Sequence, residues 1–508
     1  MEETEHTMDY SKLQNGSDVR GIGCEGVEGQ HVNLTDEACE RIGRAFVVWL
    51  AVKKNVMTTD LRIGLGRDSR ISGPRIRDAV VKGMTDQGAD VFDTGLGSTP
   101  AMFMSTVTEG FMFDGSVMIT ASHLPFNRNG LKFFTNEGGL EKAQITEVLD
   151  IAGKESFVGV GTGKVENIDF MSAYAKILRD KIAAGVGGGS APLGGMKIVV
   201  DAGNGAGGFF VDKVLKPLGA NTDGSRFLEP DGTFPNHIPN PEDKGATDSI
   251  KEAIAKSGAE LGIVFDTDVD RAGAADSEGH LLNKNRLIAL MSAILLEEHP
   301  GTTIVTDSVT SAGLAEFIAA KGGVHHRFKR GYKNVINESK RLNESGVDSQ
   351  LAMETSGHGA LKENYFLDDG AYLMVKIIIK MAQLKKEGRE LFDLIADLPE
   401  PKEEAEFRLP IKAEDFKAYG QRIIDELMAD SAERDDMELA PNNYEGARIT
   451  MKDHDGWFLL RLSLHEPLMP LNFESMDEGG VKAMASVVYE YLKKFDALDT
   501  SKLEEYIK

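Results

Sequence analysis

The first stretch whose residue types could support chemistry is the loop Thr120-Ala121-Ser122-His123-Leu124-Pro125. It follows the short apolar segment 115–119, which has the character of a buried strand. A turn-forming segment, 126–130, comes next and leads into a second apolar run. A loop of small residues at a strand end presents the hydroxyl of Ser122, and this serine is a candidate nucleophile. The alternative is an ordinary loop serine, because loops commonly use small polar residues.

A second candidate site is the acidic motif Asp266-Thr267-Asp268-Val269-Asp270-Arg271. It follows the apolar segment 259–265, so its carboxylates leave a buried strand at alternate positions. Oxygen ligands in this arrangement suit Mg²⁺. A calcium-binding EF-hand is excluded, because its loop needs glycine at the sixth position, where Arg271 stands. A solvated acidic turn is the alternative, although like charges after an apolar strand are costly without a cation.

Two more polar loops follow apolar segments farther along the chain. The run Glu354-Thr355-Ser356-Gly357-His358 places a carboxylate and a hydroxyl two positions apart, where both can bind vicinal hydroxyl groups. A helix cap is the alternative for this run. The run 461–467 offers Arg461, Ser463 and loop amides, which together suit a phosphate dianion.

Two glycine-rich segments are weaker candidates. The segment Asp201–Gly208 follows a strand, but its glycines fit the G-x-G-x-x-G spacing of dinucleotide-binding loops poorly. A tight turn between strand and helix is the better interpretation, and a nicotinamide-dependent oxidoreductase is the alternative. Arg20 lies among glycines, which let the backbone approach a ligand closely. A mobile N-terminal arm is the alternative for Arg20.

The elements that would carry these loops recur three times along the chain. Each unit begins with an apolar strand that ends near an aspartate, followed by a small-residue turn and a helix; these strands are 61–66, 196–201 and 303–307. A second strand follows a glycine-containing step, at 88–92, near 219–221 and at 322–324. A later strand in each unit ends in a polar loop. This alternation predicts α/β layers with largely parallel or mixed sheets. Because ligands collect at the carboxyl ends of strands in such sheets, we expect Ser122, Asp266 and Glu354 to face a central cleft.

Changes in composition predict four domains, with bounds of 1–185, 186–299, 300–399 and 400–508. The boundaries fall at a glycine-rich linker, at His299-Pro300-Gly301 and at a hinge of prolines and acids, 398–404. Beyond the hinge, short strands, a helix over about 413–429 and a C-terminal helix from about Glu478 predict a smaller α+β domain.

The composition limits the class of partner. The chain of 508 residues is too long for one core, and its 41% hydrophobic and 27% charged residues are typical of soluble globular proteins. The net charge of −24 argues against a nucleic-acid or anionic-membrane partner, because both require a basic face. No apolar run approaches the roughly 20 residues that span a bilayer. Cys24 and Cys39 are the two cysteines, so we expect a reducing, cytoplasmic location, with an organellar one after removal of a presequence left open. No heptad seam indicates assembly, and a monomer is expected.

With these loops in place, the chain resembles the α-D-phosphohexomutase superfamily, and in particular its phosphomannomutase/phosphoglucomutase branch. Thr120–Pro125 resembles the family's phosphoserine loop, T-A-S-H-N-P, and 266–271 resembles its metal loop, D-x-D-x-D-R. The run 354–358 resembles its sugar loop, E-x-S-G-H, and 461–467 resembles its phosphate loop, R-x-S-x-T-E-P. The motifs occur in the family's order and the resemblance covers nearly the whole chain.

The resemblance implies a role for each motif residue and names the four domains after their loops: phosphoserine, metal, sugar and phosphate. It implies that Ser122 carries the phosphoryl group and that Mg²⁺ is bound by Ser122, Asp266, Asp268 and Asp270. Asp18-Val19-Arg20-Gly21 and Asn129-Gly130-Leu131-Lys132 resemble two further motifs, D-I-R-G and N-G-x-K. The implied catalytic residues are Ser122, Lys132, Arg20, Arg271, His358 and His123. The implied substrate-binding residues are Glu354, Ser356, Arg461, Ser463, His465 and Lys333.

The chain departs from the family's pattern at several positions. Leu124 replaces an asparagine beside the serine, and His465 replaces a threonine in the phosphate loop. Lys333 follows Gly331-Tyr332, where many relatives have Gly-His, and the strand end at Asp307 lacks a lysine that some relatives carry. These departures concern phosphate anchoring and substrate identity more than the type of reaction.

The family's activity is reversible phosphoryl transfer between C1 and C6 of a hexose phosphate, glucose or mannose, through a phosphoserine enzyme and a bisphosphosugar. A hexose 1,6-bisphosphate is the expected activator, and Mg²⁺ is the expected metal. A phosphoglucosamine mutase and a homologue that binds sugar phosphate without turning it over are the alternatives.

Overall fold

The computed structural model describes residues 8–154, 156–187, 189–463 and 466–508. The first part of the chain forms an α/β domain. Its strands are β1 (Gln14–Asn15), β2 (Asp18–Ile22), β3 (Arg62–Arg67), β4 (Asp90–Leu96), β5 (Gly115–Ile119), β6 (Arg128–Thr135), β7 (Gly138–Gly139) and β8 (Val165–Asn167). Its α-helices are α1 (Asp36–Lys54), α2 (Gly73–Asp86), α3 (Thr99–Met104), α4 (Lys142–Lys154) and α5 (Phe170–Val186).

The mixed sheet of this domain places Ser122 at its carboxyl edge. The strand order is β1-β2-β6-β5-β3-β4-β8, with β7 paired to β6. The strand β3 runs parallel to β4 and β5, whereas β5 and β6 are antiparallel. All of β5 is buried, as its small and apolar residues require, and Ser122 follows three residues after its end at Ile119. Helix α1 begins at an N-cap in which the Thr35 side chain accepts a hydrogen bond from the Ala38 amide.

A second α/β domain follows. Its elements are β9 (Ile198–Asp201), α6 (Lys244–Ser257), β10 (Leu261–Phe265), β11 (Ala272–Asp276) and β12 (Leu281–Leu282). The strand order is β12-β11-β10-β9; β9 and β10 are parallel, and β11 is antiparallel to β10. The strand β10 is buried along its whole length and leads directly into Asp266.

One strand predicted for this domain is wrong. At the position near 219–221, Asn221 forms a single parallel bridge with Lys197. The chain then turns, because the side chain of Asn221 accepts a hydrogen bond from the Asp223 amide at 2.9 Å. Asparagine and aspartate favour such turns over continued pairing. The helix predicted after residue 206 is present as a short π-helix, Phe210–Leu215, followed by a 3-10 turn, Lys216–Leu218.

The third part of the chain alternates strands and helices again. It comprises α7 (Lys284–Glu298), β13 (Thr303–Thr306), α8 (Ala312–Ala320), β14 (Val324–Arg327), α9 (Tyr332–Glu344), β15 (Ser349–Met353), β16 (Gly359–Leu361), β17 (Leu367–Asp368) and α10 (Gly370–Lys386). The strand β13 is parallel to both β14 and β15, whereas β16 and β17 form an antiparallel hairpin.

The C-terminal part is the predicted α+β domain. Its elements are β18 (Glu403–Pro410), α11 (Phe416–Ala432), β19 (Met437–Leu439), β20 (Ala447–Met451), β21 (Gly456–Leu460), β22 (Leu468–Ser475), α12 (Gly480–Leu492) and α13 (Ser501–Ile507). The sheet is antiparallel, in the order β18-β22-β21-β20-β19. Its apolar face packs with the helices around a separate core that includes Leu409, Phe458 and Val488.

Short helical turns complete the structure. Those of 3-10 type lie at Tyr10–Leu13, Thr58–Asp60, Lys216–Leu218, Lys362–Asn364, Leu391–Leu394 and Lys452–His454. None of the helices in the part of the chain that the structure describes has the length and apolar content needed to cross a bilayer.

The chain divides into two compact units. The first comprises Met1–Asn283 and Ser356–Phe392, and the second comprises Lys284–Thr355 and Asp393–Lys508. The first unit therefore contains both N-terminal α/β domains together with β16, β17 and α10, and the second contains β13–β15 and the C-terminal domain. The four domain bounds read from the sequence stay a prediction.

Candidate active site

The loop after β5 presents Ser122 in a constrained backbone conformation. Ser122 has a φ of +53°, in the left-handed region that residues other than glycine seldom adopt. Its amide donates a hydrogen bond to the Thr120 hydroxyl at 2.9 Å, and that hydroxyl donates to Asp68 at 2.7 Å. The conformation is therefore fixed by a chain of buried polar groups that begins at the end of β3.

The side chain of Arg70 holds the rest of the loop. It is fully buried, and its Nε lies 3.3 Å from the Asp68 carboxylate. Its terminal nitrogens donate to the carbonyl oxygens of Ser122 at 2.5 Å, Leu124 at 2.7 Å, Pro125 at 2.7 Å and Arg128 at 3.0 Å. Position 124 therefore supports the loop through its backbone, which leucine supplies as well as asparagine does.

The acidic motif after β10 forms a buried carboxylate cluster. Ligand oxygens of Asp266, Asp268 and Asp270 lie within 4.8 Å of one another. Among the described residues, Asp268 and Asp270 each have a buried carboxylate oxygen with no hydrogen-bond partner. Thr99, at the start of α3, donates through its hydroxyl to the other oxygen of Asp268. Buried, convergent carboxylate oxygens fit a hard divalent cation, because they need a positive charge to offset their repulsion.

The electrostatics of the cluster agree with that fit. Burial, followed by the charges of Asp270 and Asp268, raises the pKa of Asp266 well above its usual value. Burial also opposes ionisation of Asp270, but Lys132, His358 and Arg271 outweigh it and hold its pKa far below its usual value. One member of the cluster is thus destabilised as an anion, and a bound cation would remove that penalty.

Ser122 lies against this cluster. Its hydroxyl donates to Asp266 at 3.3 Å, and the Arg271 guanidinium donates to the Ser122 Oγ at 3.0 Å. Arg271 also donates through Nε to Asp266 at 3.1 Å and is 3% exposed. The candidate nucleophile Ser122 is therefore in contact with both a carboxylate of the cluster and a buried guanidinium, and phosphoryl transfer needs such charged groups around the reacting oxygen.

Two further cations line the same region. The Nζ of Lys132 lies 3.3 Å from Asp270 and 3.5 Å from Asp18, and Arg20 pairs with Asp18 at 2.8 Å. Gly130 permits this arrangement, since a Cβ there would stand 2.2 Å from the Val19 carbonyl oxygen and 2.9 Å from the Arg20 side chain. The strands β2 and β6 can thus approach closely and bring Arg20 and Lys132 to one edge.

The pKa values of the two histidines of the site shift in opposite directions. Burial and the neighbouring Arg271 lower the pKa of His123 to about 3, so its ring is neutral at pH 7. Burial also disfavours the proton on His358, but Asp270 and Asp368 outweigh it and raise the pKa of His358 above its usual value. The His358 Nδ1 lies 3.5 Å from the Asp368 carboxylate. His358 is therefore the better proton donor of the pair.

The second unit contains most of the other candidate residues. Glu354 follows β15, and its carboxylate accepts a hydrogen bond from the Gly331 amide at 2.7 Å. Lys333 lies in the first turn of α9, two residues after that glycine. Arg461 follows β21 and is 8% exposed, and the Ser463 hydroxyl accepts from the Glu466 amide at 3.3 Å. Ser356 lies in the first unit with His358, and His465 lies outside the described residues.

The segment Asp201–Gly208 is packed as a turn. A Cβ at Gly205 would stand 2.6 Å from the Thr267 carbonyl oxygen, and one at Gly208 would stand 2.5 Å from the Leu228 carbonyl oxygen. The glycines thus admit neighbouring protein backbone, which occupies the space a pyrophosphate would need. The geometry favours the turn interpretation over a dinucleotide site.

Sequence reasoning missed two residues that shape this site. The sequence motifs do not indicate a role for Arg70 or Thr99, yet Arg70 holds the Ser122 loop and Thr99 donates to Asp268. The available signal was the run Arg67-Asp68-Ser69-Arg70 at the end of β3, where charged residues follow a buried strand.

Three family models match successive parts of the chain. They describe α/β/α domains I, II and III of phosphoglucomutase/phosphomannomutase and match residues 12–158, 177–279 and 283–401. The matched ranges contain Ser122, the acidic cluster and Glu354, whereas Arg461 lies beyond them.

Curated relatives and solved structures cover nearly the whole chain. A phosphoglucomutase of Neisseria meningitidis is 31% identical over 467 residues, which is 92% of this chain and 93% of that protein. A phosphomannomutase/phosphoglucomutase of Pseudomonas aeruginosa is 30% identical over 484 residues, which is 94% and 96% of the two chains. The crystal structure of a phosphoglucomutase/phosphomannomutase family protein from Burkholderia thailandensis is similar with a TM-score of 0.78 at 26% identity, over 96% and 98% of the two chains.

Proposed function

Because the chain belongs to the phosphoglucomutase/phosphomannomutase family, we propose that it catalyses reversible phosphoryl transfer between C1 and C6 of a hexose phosphate, glucose or mannose. The observation that carries the proposal is the Ser122 hydroxyl, which lies 3.3 Å from Asp266 and 3.0 Å from Arg271 beside the buried carboxylate cluster. The identities of the relatives support the reaction class, and the Ser122 geometry supports its mechanism.

In the proposed reaction, phosphorylated Ser122 donates its phosphoryl group to the free hydroxyl of a hexose monophosphate. The bond between phosphorus and Ser122 Oγ breaks, a bond to the sugar oxygen forms, and the hydroxyl proton passes to Lys132 or His358, whichever is in its deprotonated form. The resulting 1,6-bisphosphate turns over in the site, and its other phosphoryl group returns to Ser122. A hexose 1,6-bisphosphate thus serves as activator, because it can transfer a phosphoryl group to unphosphorylated Ser122.

Charge stabilisation in this scheme comes from residues of the first unit. Arg271, Arg20 and Lys132 place positive charge around Ser122. Mg²⁺ bound by Asp266, Asp268, Asp270 and a phosphoserine oxygen would offset the negative charge of the transferring group. The Nδ1 of His123 lies 3.4 Å from the Ser122 Oγ, and because its lowered pKa leaves the ring neutral at pH 7, it adds no charge there. Phosphoryl transfer needs positioning and charge stabilisation above all, and these residues supply both.

Residues of the second unit serve substrate binding in this proposal. Glu354 and Ser356 would bind sugar hydroxyls, whereas Arg461, Ser463, His465 and Lys333 would bind the phosphate that does not react. We further propose that the protein acts as a cytoplasmic monomer; Cys24 and Cys39, both free thiols, support a reducing compartment.

The nucleophile is tested with Ser122→Ala, assayed for glucose 1-phosphate to glucose 6-phosphate flux with Mg²⁺ and the bisphosphate activator present. We expect kcat to fall by about a thousandfold or more, because the variant lacks the hydroxyl that would carry the phosphoryl group. Ser486→Ala, which removes an exposed serine hydroxyl of α12, is the matched control and should retain activity. Near-normal turnover of Ser122→Ala would show that the nucleophile is another residue.

The substrate is tested by comparing kcat/KM for the 1-phosphates of glucose, mannose and glucosamine in one preparation. The proposal expects glucose or mannose to lead. A preference for glucosamine 1-phosphate would assign the protein as a phosphoglucosamine mutase. Binding of all three without flux would assign it as a non-catalytic sugar-phosphate-binding homologue.

A further inference from the structure

Within the second unit, the carboxylate of Glu445 faces the guanidinium of Arg461. The Nη1 of Arg461 lies 4.0 Å from an oxygen of Glu445. Arg461 is 92% buried, being 8% exposed, and in the described part of the chain its Nε has no hydrogen-bond partner. Burial lowers the pKa of Arg461, and Glu445 is the first of the charges that oppose this effect. A buried guanidinium with an unused donor is prepared to receive an anion.

The other oxygen of Glu445 is bound by donors from a different part of the unit. The Ser308 hydroxyl donates to it at 2.5 Å, and the Arg330 amide donates to it at 3.1 Å. Ser308 follows β13, and Arg330 precedes α9. The Glu445 carboxylate thus lies next to a guanidinium, a hydroxyl and a backbone amide from three different loops. This is the donor set that binds phosphate in proteins.

The turn that carries Glu445 is held firmly in this position. The ring of the preceding residue, Tyr444, lies 4.9 Å from that of Phe328 and 5.5 Å from that of His326. The Asn443 side chain donates to the Gly446 carbonyl at 2.5 Å and so closes the turn. Arg448, on β20, donates to the Ser308 carbonyl at 2.9 Å and anchors the facing loop. Packing on both sides therefore presents the carboxylate to these donors.

We propose that Glu445 is an internal counter-ion that occupies the phosphate subsite around Arg461, so that a bound phosphate group must displace its carboxylate from Arg461, Ser308 and Arg330. The inference rests on the proposed function, in which Arg461 binds the phosphate that does not react. A dianion offers more charge and more acceptor oxygens than one carboxylate and can replace it. The two anions cannot share the donors, because like charges at this separation repel. Glu445 thereby weakens the binding of every anion and favours fully charged phosphate over weaker ligands.

The test is calorimetric titration of the full-length protein with inorganic phosphate in buffer containing EDTA. Glu445→Gln keeps the shape of the side chain but removes its charge, and we expect phosphate to bind about tenfold more tightly. Glu445→Ala should shift the affinity in the same direction. Glu438→Gln, an exposed position on edge strand β19, makes the same change in net charge and should leave the affinity unchanged. Unchanged or weaker phosphate binding by both Glu445 variants would overturn the inference. It would instead show that Glu445 positions the Arg461 side chain for phosphate.

A double variant locates the effect. Adding Arg461→Gln to Glu445→Gln should cancel the gain in affinity, whereas a gain that persists would place the phosphate elsewhere and refute the inference. Thermal unfolding of each variant separates these outcomes from loss of the fold. The titration requires no turnover, so it is independent of the proposed function. If Glu445→Gln binds phosphate more tightly but the wild type shows no mutase flux, the proposed function alone is refuted. If the wild type shows flux but Glu445→Gln binds phosphate with unchanged affinity, the inference alone is refuted.

Discussion

Arg70 shows how one side chain can fix a reactive loop through the backbone. A guanidinium carries donors in a planar fork, and here they serve four carbonyl oxygens of one loop while Asp68 balances the charge. Ser122 adopts its left-handed conformation inside this frame. In the proposed reaction, a serine held in this way needs little reorganisation to receive or donate the phosphoryl group.

Replacing Arg70 with lysine should remove most of the side-chain hydrogen bonds that hold the Ser122 loop in place. Lysine keeps the charge beside Asp68 but cannot serve the same carbonyls, so buried acceptors lose their partners. We expect kcat to fall by about ten- to a hundredfold with KM nearly constant, and the unfolding temperature to drop by about 3–8 °C. Intact mass after incubation with a hexose 1,6-bisphosphate should show slower phosphorylation of Ser122. Arg62→Lys, at an exposed position on β3, is the control; a kcat within twofold of wild type for Arg70→Lys would refute the role of the frame.

The strands that carry the site were the most predictable elements. The segments 115–119 and 261–265 are continuous small or apolar runs, and a strand buried on both faces requires such a run. The strand predicted near 219–221 failed because the hydrogen-bonding side chain of Asn221 forms a turn there. Local pattern therefore indicated where the chain is buried, but competing side-chain hydrogen bonds decided where it turns.

The partners across the site could not be predicted from spacing. Arg70 contacts a loop more than 50 positions away, and Thr99 contacts Asp268 across 169 positions. Glu445 contacts Ser308 across 137 positions. Such contacts depend on which strand ends become neighbours, and no local periodicity encodes that. The motif loops were identified by their residue types, whereas the residues that support them became apparent only from the fold.

The loop before α6 is tied to the end of β9 through a charged pair. The His237 ring lies 2.9 Å from Asp201, its side chain is 4% exposed, and Ser249 of α6 donates to the same carboxylate at 2.6 Å. Burial disfavours the proton on His237, but the hydrogen bond and the charge of Asp201 outweigh it and raise the His237 pKa above its usual value of 6.5. The stabilisation from this pair is therefore complete below about pH 6.5 and is lost as the pH rises through the raised pKa of the folded state.

His237→Gln should therefore destabilise the protein in a pH-dependent way. At pH 6 we expect an unfolding temperature about 2–6 °C below that of the wild type, because the variant loses a charged hydrogen bond to a buried carboxylate. At pH 9 the two temperatures should lie closer together. His31→Gln, at an exposed histidine, controls for the general effect of pH and should follow the wild type throughout. A difference that is constant or widens toward pH 9 would contradict the assigned pairing.

The net charge of the protein is strongly negative, whereas its candidate sites contain positively charged side chains. The chain has 81 acidic and 57 basic residues, yet both candidate regions gather buried or half-buried positive charge. In the first unit, Arg20, Lys132 and Arg271 surround the carboxylate cluster. In the second, Arg461 adjoins Glu445, and the Arg330 guanidinium lies 4.0 Å from Asp307. The positive charges of each region are thus paired with carboxylates of the protein. An anionic ligand must compete with those carboxylates for the positive charges, and a metal ion must compete with the positive charges for the carboxylates.

The carboxylate cluster provides a test of that balance through Asp268→Asn. In EDTA the variant should unfold a few degrees above the wild type, because one of three clustered negative charges is removed while Thr99 can still donate to the new amide oxygen. In saturating Mg²⁺ the order should reverse, since at a hundred times the dissociation constant a bound ion stabilises the folded wild type by about 2.7 kcal/mol and the variant has lost a ligand. Asp223→Asn, at an exposed position of the same domain, makes the same charge change and should follow the wild type in both buffers. An equal Mg²⁺ response in wild type and Asp268→Asn would show that the cluster is a structural feature rather than a metal site.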